Sequence, residues 1–213
     1  MTESAMLMSR LSARLPAAMA RAALDPSPWP HAYLADVLPA DVALRLSRSF
    51  GRFDMDSCEE TRRAKSYRFR TTRLDRADPA QVAGTAWMPV IEVLSAPEYR
   101  SAISTLTGVR LDDADVTLSL WEYQAGDWLA PHVDKPDKLV TQIFYLTEGW
   151  REGDGGRLLI MKTADPSSVV RVLPPRLGSS AVLVTSGTSW HAVEAPRPGA
   201  AGRRSITVTF WRT

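Results

Sequence analysis

Three histidines occur in this 213-residue chain, and two of them, His132 and His191, stand beside short β-type runs in its second half, with Asp134 two positions after the first. Successive side chains of a β-strand point to opposite faces, so residues i and i+2 project together and His132 and Asp134 can reach one ion. The run Thr117–Tyr123 alternates small or polar groups with larger ones, as a half-buried strand does, and Gly126 and Asp127 mark a turn before His132. Further on, Ser180–Thr185 reads as an apolar strand, Gly187 as part of a turn, and His191-Ala192-Val193 as another short extended run. Strand, tight turn, strand could fold the second histidine back over the first pair. A His-x-Asp triplet by itself is most often a surface pair. The later histidine makes it a set and demands a β-architecture that brings distant segments together.

Two imidazoles and one carboxylate form the facial triad of mononuclear non-haem Fe(II), which leaves three metal positions open. His31, in Pro30-His31-Ala32-Tyr33-Leu34, has no carboxylate beside it in the sequence and reads as a structural residue at the start of a strand. A second, cationic feature follows the triad. After the turn Gly199–Gly202 comes Arg203–Trp211, in which Arg203, Ser205, Thr207 and Thr209 share one face and Arg204, Ile206, Val208 and Phe210 the other. A guanidinium with a hydroxyl two residues on suits a carboxylate, because arginine presents a planar fork for two hydrogen bonds and serine adds a donor.

Together these residues resemble the Fe(II)- and 2-oxoglutarate-dependent dioxygenases, and within them the prolyl 4-hydroxylase-like branch. The similar part runs from Leu118 to Trp211. It carries Tyr123-x-x-Gly126-x-x-Leu129-x-x-His132-x-Asp134, Lys138–Leu146, Gly153-Asp154-Gly155-Gly156-Arg157-Leu158, His191-x-Val193 and Arg203-x-Ser205. The resemblance implies iron ligation by His132, Asp134 and His191, and binding of the distal carboxylate of 2-oxoglutarate by Arg203 with Ser205. Tyr145 and Tyr123 match positions where a tyrosine of the branch contacts the cosubstrate. Twelve positions separate His191 from Arg203, where the branch has about ten; the turn Pro198–Gly202 can absorb the difference. Strand parity selects Arg203 over Arg204, because Arg203 shares a face with Ser205.

The implied cofactors are Fe(II), 2-oxoglutarate as cosubstrate and dioxygen, with ascorbate a candidate reductant. The implied reaction couples oxidative decarboxylation of 2-oxoglutarate to hydroxylation of an unactivated C–H. Radical halogenases of the superfamily carry a small residue where this chain has Asp134, so hydroxylation is expected; desaturation, epoxidation and ring closure use the same triad. The implied fold is mainly β with flanking helices: a double-stranded β-helix, or jelly-roll, core behind an N-terminal helical buttress. A small-molecule substrate, an amino acid or natural-product intermediate, is preferred to a prolyl or protein substrate. A cupin-like metal-binding protein without oxygenase activity is the alternative of another class, and Arg203-x-Ser205 argues against it.

The rest of the chain sets bounds. A net charge of +2 gives no global electrostatic case for nucleic acid, and no apolar run is long enough to span a membrane. The single cysteine, Cys58, excludes an intramolecular disulfide and suits a reducing cytoplasm, and the alanine and arginine bias suggests a GC-rich bacterial genome. Residues 1–25 read as an amphipathic helix, packed or partly disordered, that Pro16 interrupts; its acid-poor composition is also that of a transit peptide. Residues 26–115 form an α/β prelude of the same domain, and 116–213 the catalytic core. Within the prelude, strands are expected at His31–Val37 and Tyr67–Leu74, and helices at Asp41–Phe50, Pro79–Ser95 and Ala96–Leu106. The basic cluster Arg62, Arg63, Lys65, Arg68, Arg70 and Arg73 is of a kind that is usually a solvated face, but Arg68 and Arg70 are candidates for selecting an anionic substrate. Trp121 and Trp128, which flank the first metal motif, are candidate substrate contacts or core.

Overall fold

Strand β11 (Arg203–Trp211) is hydrogen-bonded along nearly its whole length on both sides, to β4 (Asp115–Tyr123) and to β6 (Lys138–Tyr145). This computed structural model describes residues 2–62 and 65–213. Its other strands are β1 (His31–Leu34), β2 (Asp56–Glu60), β3 (Tyr67–Arg73), β5 (Trp128–His132), β7 (Leu158–Met161), β8 (Val169–Leu173), β9 (Ser180–Val184) and β10 (His191–Val193). Every pairing between strands is antiparallel, in the order β1-β9-β6-β11-β4-β3-β5-β10-β7-β8, with β2 on β3. Because β3 pairs with β4 through Arg70–Arg73 and with β5 through Tyr67 and Arg68, it turns one sheet into the next and brings the whole near to a closed jelly-roll.

The two-residue period divides the side chains between two hydrophobic cores. Leu118, Leu120, Val140, Phe144, Ile206, Val208 and Phe210 point outward and are buried under helices. Tyr123, Ile143, Tyr145, Ala181 and Leu183 point into the barrel. Helices α1 (Glu3–Arg21), α4 (Trp87–Ser95) and α5 (Pro97–Thr107) pack together over the outer core, joined by α2 (Ala40–Arg48) and the short α3 (Pro79–Val82).

Three expectations for the prelude need correction. The helix expected over Pro79–Ser95 is two, separated by Gly84 at φ +69°, a backbone conformation in which glycine carries no steric penalty. The first strand ends at Leu34, and Asp36 has a positive φ of 49°, so the chain turns before Val37. Pro16 does not interrupt the N-terminal helix. Leu7, Leu11, Leu15 and Met19 form a buried stripe at four-residue spacing, and tertiary burial of that stripe outweighs the hydrogen bond proline cannot make.

Leu11 is 1% exposed at the centre of this stripe. Leu11→Ala should lower the unfolding free energy by about 2–5 kcal/mol, measured by urea denaturation. A loss below about 0.5 kcal/mol would mean that α1 does not contribute to the core.

Candidate active site

His132 ends β5 and His191 begins β10, and the pairing of these strands sets the two histidines directly opposite each other. Their rings lie 4.3 Å apart between centroids. Asp134 reaches between them, with Oδ1 3.7 Å from His132 Nε2 and Oδ2 3.9 Å from His191 Nε2. The three donor atoms fall within 4.8 Å of one another, a set that could hold one metal ion. Each histidine Nδ1 lies 2.9 Å from a backbone carbonyl, that of Ala130 for His132 and that of Ser189 for His191. A carbonyl only accepts, so each Nδ1 carries the proton and each Nε2 lone pair is free for a metal. The indole of Trp29 lies 6.1 Å from the His191 ring and is fixed by donating its N–H to the Met161 carbonyl.

Protonation states match the same task. Burial, reinforced by the neighbouring His132, lowers the pKa of His191 to about 4, so it is neutral at physiological pH. Burial works against ionisation of Asp134, but the contacts with His132, His191 and Lys138 outweigh it and hold the carboxyl well below its usual range. Lys138 Nζ lies 2.8 Å from Asp134 Oδ1 and supplies a compensating charge for the buried carboxylate. A neutral His191 imidazole and an ionised Asp134 carboxylate are in the forms that bind a metal.

A cavity of about 220 Å³ extends from the triad into the barrel, and Arg203, Ser205 and Thr207 line it from β11. Arg203 is 2% exposed, donates from Nη1 to the Gly156 carbonyl at 3.2 Å, and leaves its Nε without a partner. No carboxylate pairs with it among the described residues. Its guanidinium carbon lies 5.0 Å from the Tyr145 ring centroid and 5.4 Å from that of Tyr123. Burial raises the pKa of Tyr145 to about 12 and that of Tyr123 further, so both phenols keep their protons. Tyr145 Oη and Thr141 Oγ1 are also buried without partners. Buried polar groups are nearly always satisfied, so the unpartnered atoms of Arg203, Tyr145 and Thr141 suit a ligand rich in acceptor oxygens. The residues present therefore fit both a divalent metal and a dicarboxylate.

Arg204, on the opposite face, donates to Glu122 at 2.8 Å and lies over Phe50. The longer loop before β11 is tied down rather than slack. Gly126 N–H donates to the Pro196 carbonyl and Arg197 N–H to the Asp154 carbonyl, and Arg157 pairs through two hydrogen bonds with Glu194. Gly202 closes the loop at φ +74°, where a Cβ would come within 2.7 Å of the Tyr123 carbonyl oxygen.

A family model for the 2OG-Fe(II) oxygenase superfamily matches residues 118–212, the stretch that carries every residue of this constellation. That segment belongs to the 2OG-Fe(II) oxygenase superfamily. This match and the His132, Asp134 and His191 set support Fe(II), 2-oxoglutarate and dioxygen as the cofactors of an oxygenase. No curated protein matches the chain. Solved structures share the oxygenase's fold. A Pseudomonas putida prolyl-4-hydroxylase aligns with TM-score 0.66 at 21% identity, over 95% of this chain and 99% of its own. A Trichoplax adhaerens prolyl hydroxylase, in complex with a hypoxia inducible factor oxygen degradation domain peptide fragment, aligns with TM-score 0.59 at 16% identity, over 99% and 93%. EvdO2 from Micromonospora carbonacea var. aurantiaca, complexed with 2-oxoglutarate, aligns with TM-score 0.57 at 14% identity, over 94% and 90%.

Of the candidate substrate residues in the oxygenase, only Trp121 lines the cavity. Arg68 and Arg70 lie on the outer face of β3, where Arg68 Nε pairs with Asp127 at 2.7 Å and Arg70 lies 3.8 Å from Glu122. Trp128 packs under the Arg68 guanidinium and donates to Ser66. Strand parity explains the correction: Tyr67 and Phe69, not the arginines between and beside them, face inward. Lys65 of the basic cluster does reach the cavity, while Arg63 lies outside the described residues. Sequence reasoning also missed Lys138 and Thr141, and it placed Thr207 on the face of Arg203 without assigning it to the site. The alternation of β6 could have found Thr141, whereas the contact of Lys138 with Asp134 had no sequence signal. His31 is buried with Nδ1 2.8 Å from the Trp29 carbonyl and does not line the cavity.

The lowered pKa of His191 predicts how the metal-free protein responds to acid. Between pH 6.5, the ordinary histidine value, and about 4, the unfolded chain takes up a proton here that the folded protein does not. Stability should therefore fall with falling pH across this window, by up to about 3 kcal/mol. Urea denaturation at several pH values should show that slope, and His191→Gln should remove most of it.

Proposed function

We propose that the enzyme holds Fe(II) through His132 Nε2, His191 Nε2 and Asp134, and 2-oxoglutarate through Arg203, and that it hydroxylates a C–H bond of a small molecule. The observation that carries this reading is a buried arginine without a carboxylate partner among the described residues, in the same cavity as the two-histidine, one-carboxylate set. A buried unpaired guanidinium is costly by itself and becomes favourable when a carboxylate accepts from it. The Tyr145 hydroxyl, held protonated by burial, adds a donor beside it, and Ser205 shares its strand face. With both groups bound, oxidative decarboxylation of 2-oxoglutarate would supply the oxidising power for substrate hydroxylation. The chain's part is to fix the two imidazoles by their Nδ1–H bonds, keep Asp134 ionised, and surround the reacting centre with apolar side chains such as Leu158, Leu183 and Val193.

The cavity is small beside the roughly 300–1,000 Å³ pockets that enclose drug-sized ligands, which supports a small reacting group. A prolyl side chain would also meet that limit, so peptides belong in any substrate screen that follows succinate formation.

Calorimetric titration with Mn(II) and then 2-oxoglutarate tests the assignment of residues. His132→Ala should abolish metal binding, and His31→Ala should spare it. Arg203→Ala should weaken 2-oxoglutarate binding by about 2–4 kcal/mol, whereas Arg204→Ala should leave it within a few tenths. The reverse pattern for the two arginines would sink the assignment of the carboxylate site.

A further inference from the structure

One wall of the cavity is a run of aromatic rings, of which only Tyr123, beside Arg203, is tied to the cosubstrate. Tyr67 stacks on Phe69 at 5.0 Å, Phe69 contacts Trp121 at 4.3 Å, and Trp121 lies near-parallel to Tyr123 at 6.4 Å. Within that wall the indole nitrogen of Trp121 is buried and has no hydrogen-bond partner. The contrast with five of the other six tryptophans is informative: Trp29, Trp87, Trp128, Trp150 and Trp211 each donate their indole N–H to an oxygen. Buried indoles ordinarily find a partner, so an N–H left free on a cavity wall is suited to a bound molecule.

Charge gives a second, independent observation. Lys65, Lys138 and Arg203 line the cavity against one carboxylate, that of Asp134. Lys138 is paired with Asp134, whereas Lys65 has no ion pair among the described residues. A divalent metal and the two negative charges of 2-oxoglutarate offset each other, so the positive surplus persists in the loaded site. Unlike Arg68 and Arg70, which are paired on the outer face, Lys65 is a cation on the cavity itself.

We infer that the substrate is a ring-bearing organic anion, its ring against Phe69 and Trp121, an acceptor on the Trp121 indole N–H, and its carboxylate or phosphate at Lys65. This rests on the oxygenase reading above. An apolar ring covers the aromatic wall without stranding polar groups, and the anionic group gives Lys65 the direct ion pair that it lacks among the described residues, where Asp134 acts on it only at longer range.

Calorimetry on the full chain loaded with Mn(II) and saturating 2-oxoglutarate tests this with two ring anions, 3-phenylpropanoate and phenyl phosphate. Their neutral counterparts, 3-phenylpropanamide and phenol, and the ring-free anion hexanoate serve as comparisons. At least one ring anion should bind about tenfold more tightly than its neutral counterpart and than hexanoate. Carboxylate and phosphate are separated by which of the two shows the preference. Lys65→Gln should erase that preference, and Trp121→Phe, which keeps a ring but removes the N–H, should weaken binding about fivefold. Mn(II) and 2-oxoglutarate binding by each variant shows that it is folded. Neutral ligands binding as tightly as the anions, no binding of either ring anion, or variants that match the parent chain would each overturn the inference alone. Failure of the parent chain to bind Mn(II) and 2-oxoglutarate would overturn the underlying reading as well.

Discussion

The antiparallel pairing of β5 with β10 is the constraint on which the site depends. It makes His132 and His191 register partners, so the approach of their Nε2 atoms follows from backbone hydrogen bonds and not from flexible side chains. A slip of one residue would send one imidazole to the opposite face and dismantle the set. The carbonyls of Ala130 and Ser189 then fix each ring, which leaves Asp134 the only donor that arrives from outside the pairing. Lys138 restrains it there.

The other half of the site depends on the alternation of β4, β6 and β11. The same strands that bury Leu118, Phe144 and Ile206 beneath the helices turn Tyr123, Tyr145 and Arg203 into the barrel. Helical packing on one face and ligand-facing groups on the other are thus two outcomes of one pattern. The guanidinium between two tyrosine rings is partly compensated by their π faces and by the Gly156 carbonyl, but its Nε remains unpartnered. Such incomplete satisfaction is expected where a site awaits a partner of opposite charge.

Most of the core strands, and the placing of Arg203 and Arg204 on opposite faces of β11, were legible because both follow from a period of two. Helix α1 was legible as an amphipathic stripe, although Pro16 suggested a break that the burial of Leu11 and Leu15 overrides. The wall of the cavity was harder. In Tyr67-Arg68-Phe69-Arg70 parity separates arginines from aromatics, but it does not say which set faces inward, and charge suggested the wrong one. The answer lies in Asp127 and Glu122, which reach Arg68 and Arg70 across neighbouring strands and hold them outside. Contacts of this kind depend on which strands become neighbours, and no local window carries that information.

The way β3 closes the barrel has an evolutionary corollary. His132 and His191 belong to β5 and β10, Arg203 to β11, and the rings Tyr67 and Phe69 to β3, which pairs with β4 and β5. The pairing of β3 with β4 and β5 and the outward ion pairs of Arg68 and Arg70 anchor its backbone, so exchange of Tyr67 or Phe69 would reshape the cavity wall while leaving His132, His191 and Arg203 on other strands. Selectivity is then a replaceable panel in a fixed frame, and divergence within such an enzyme lineage would accumulate first along this one strand.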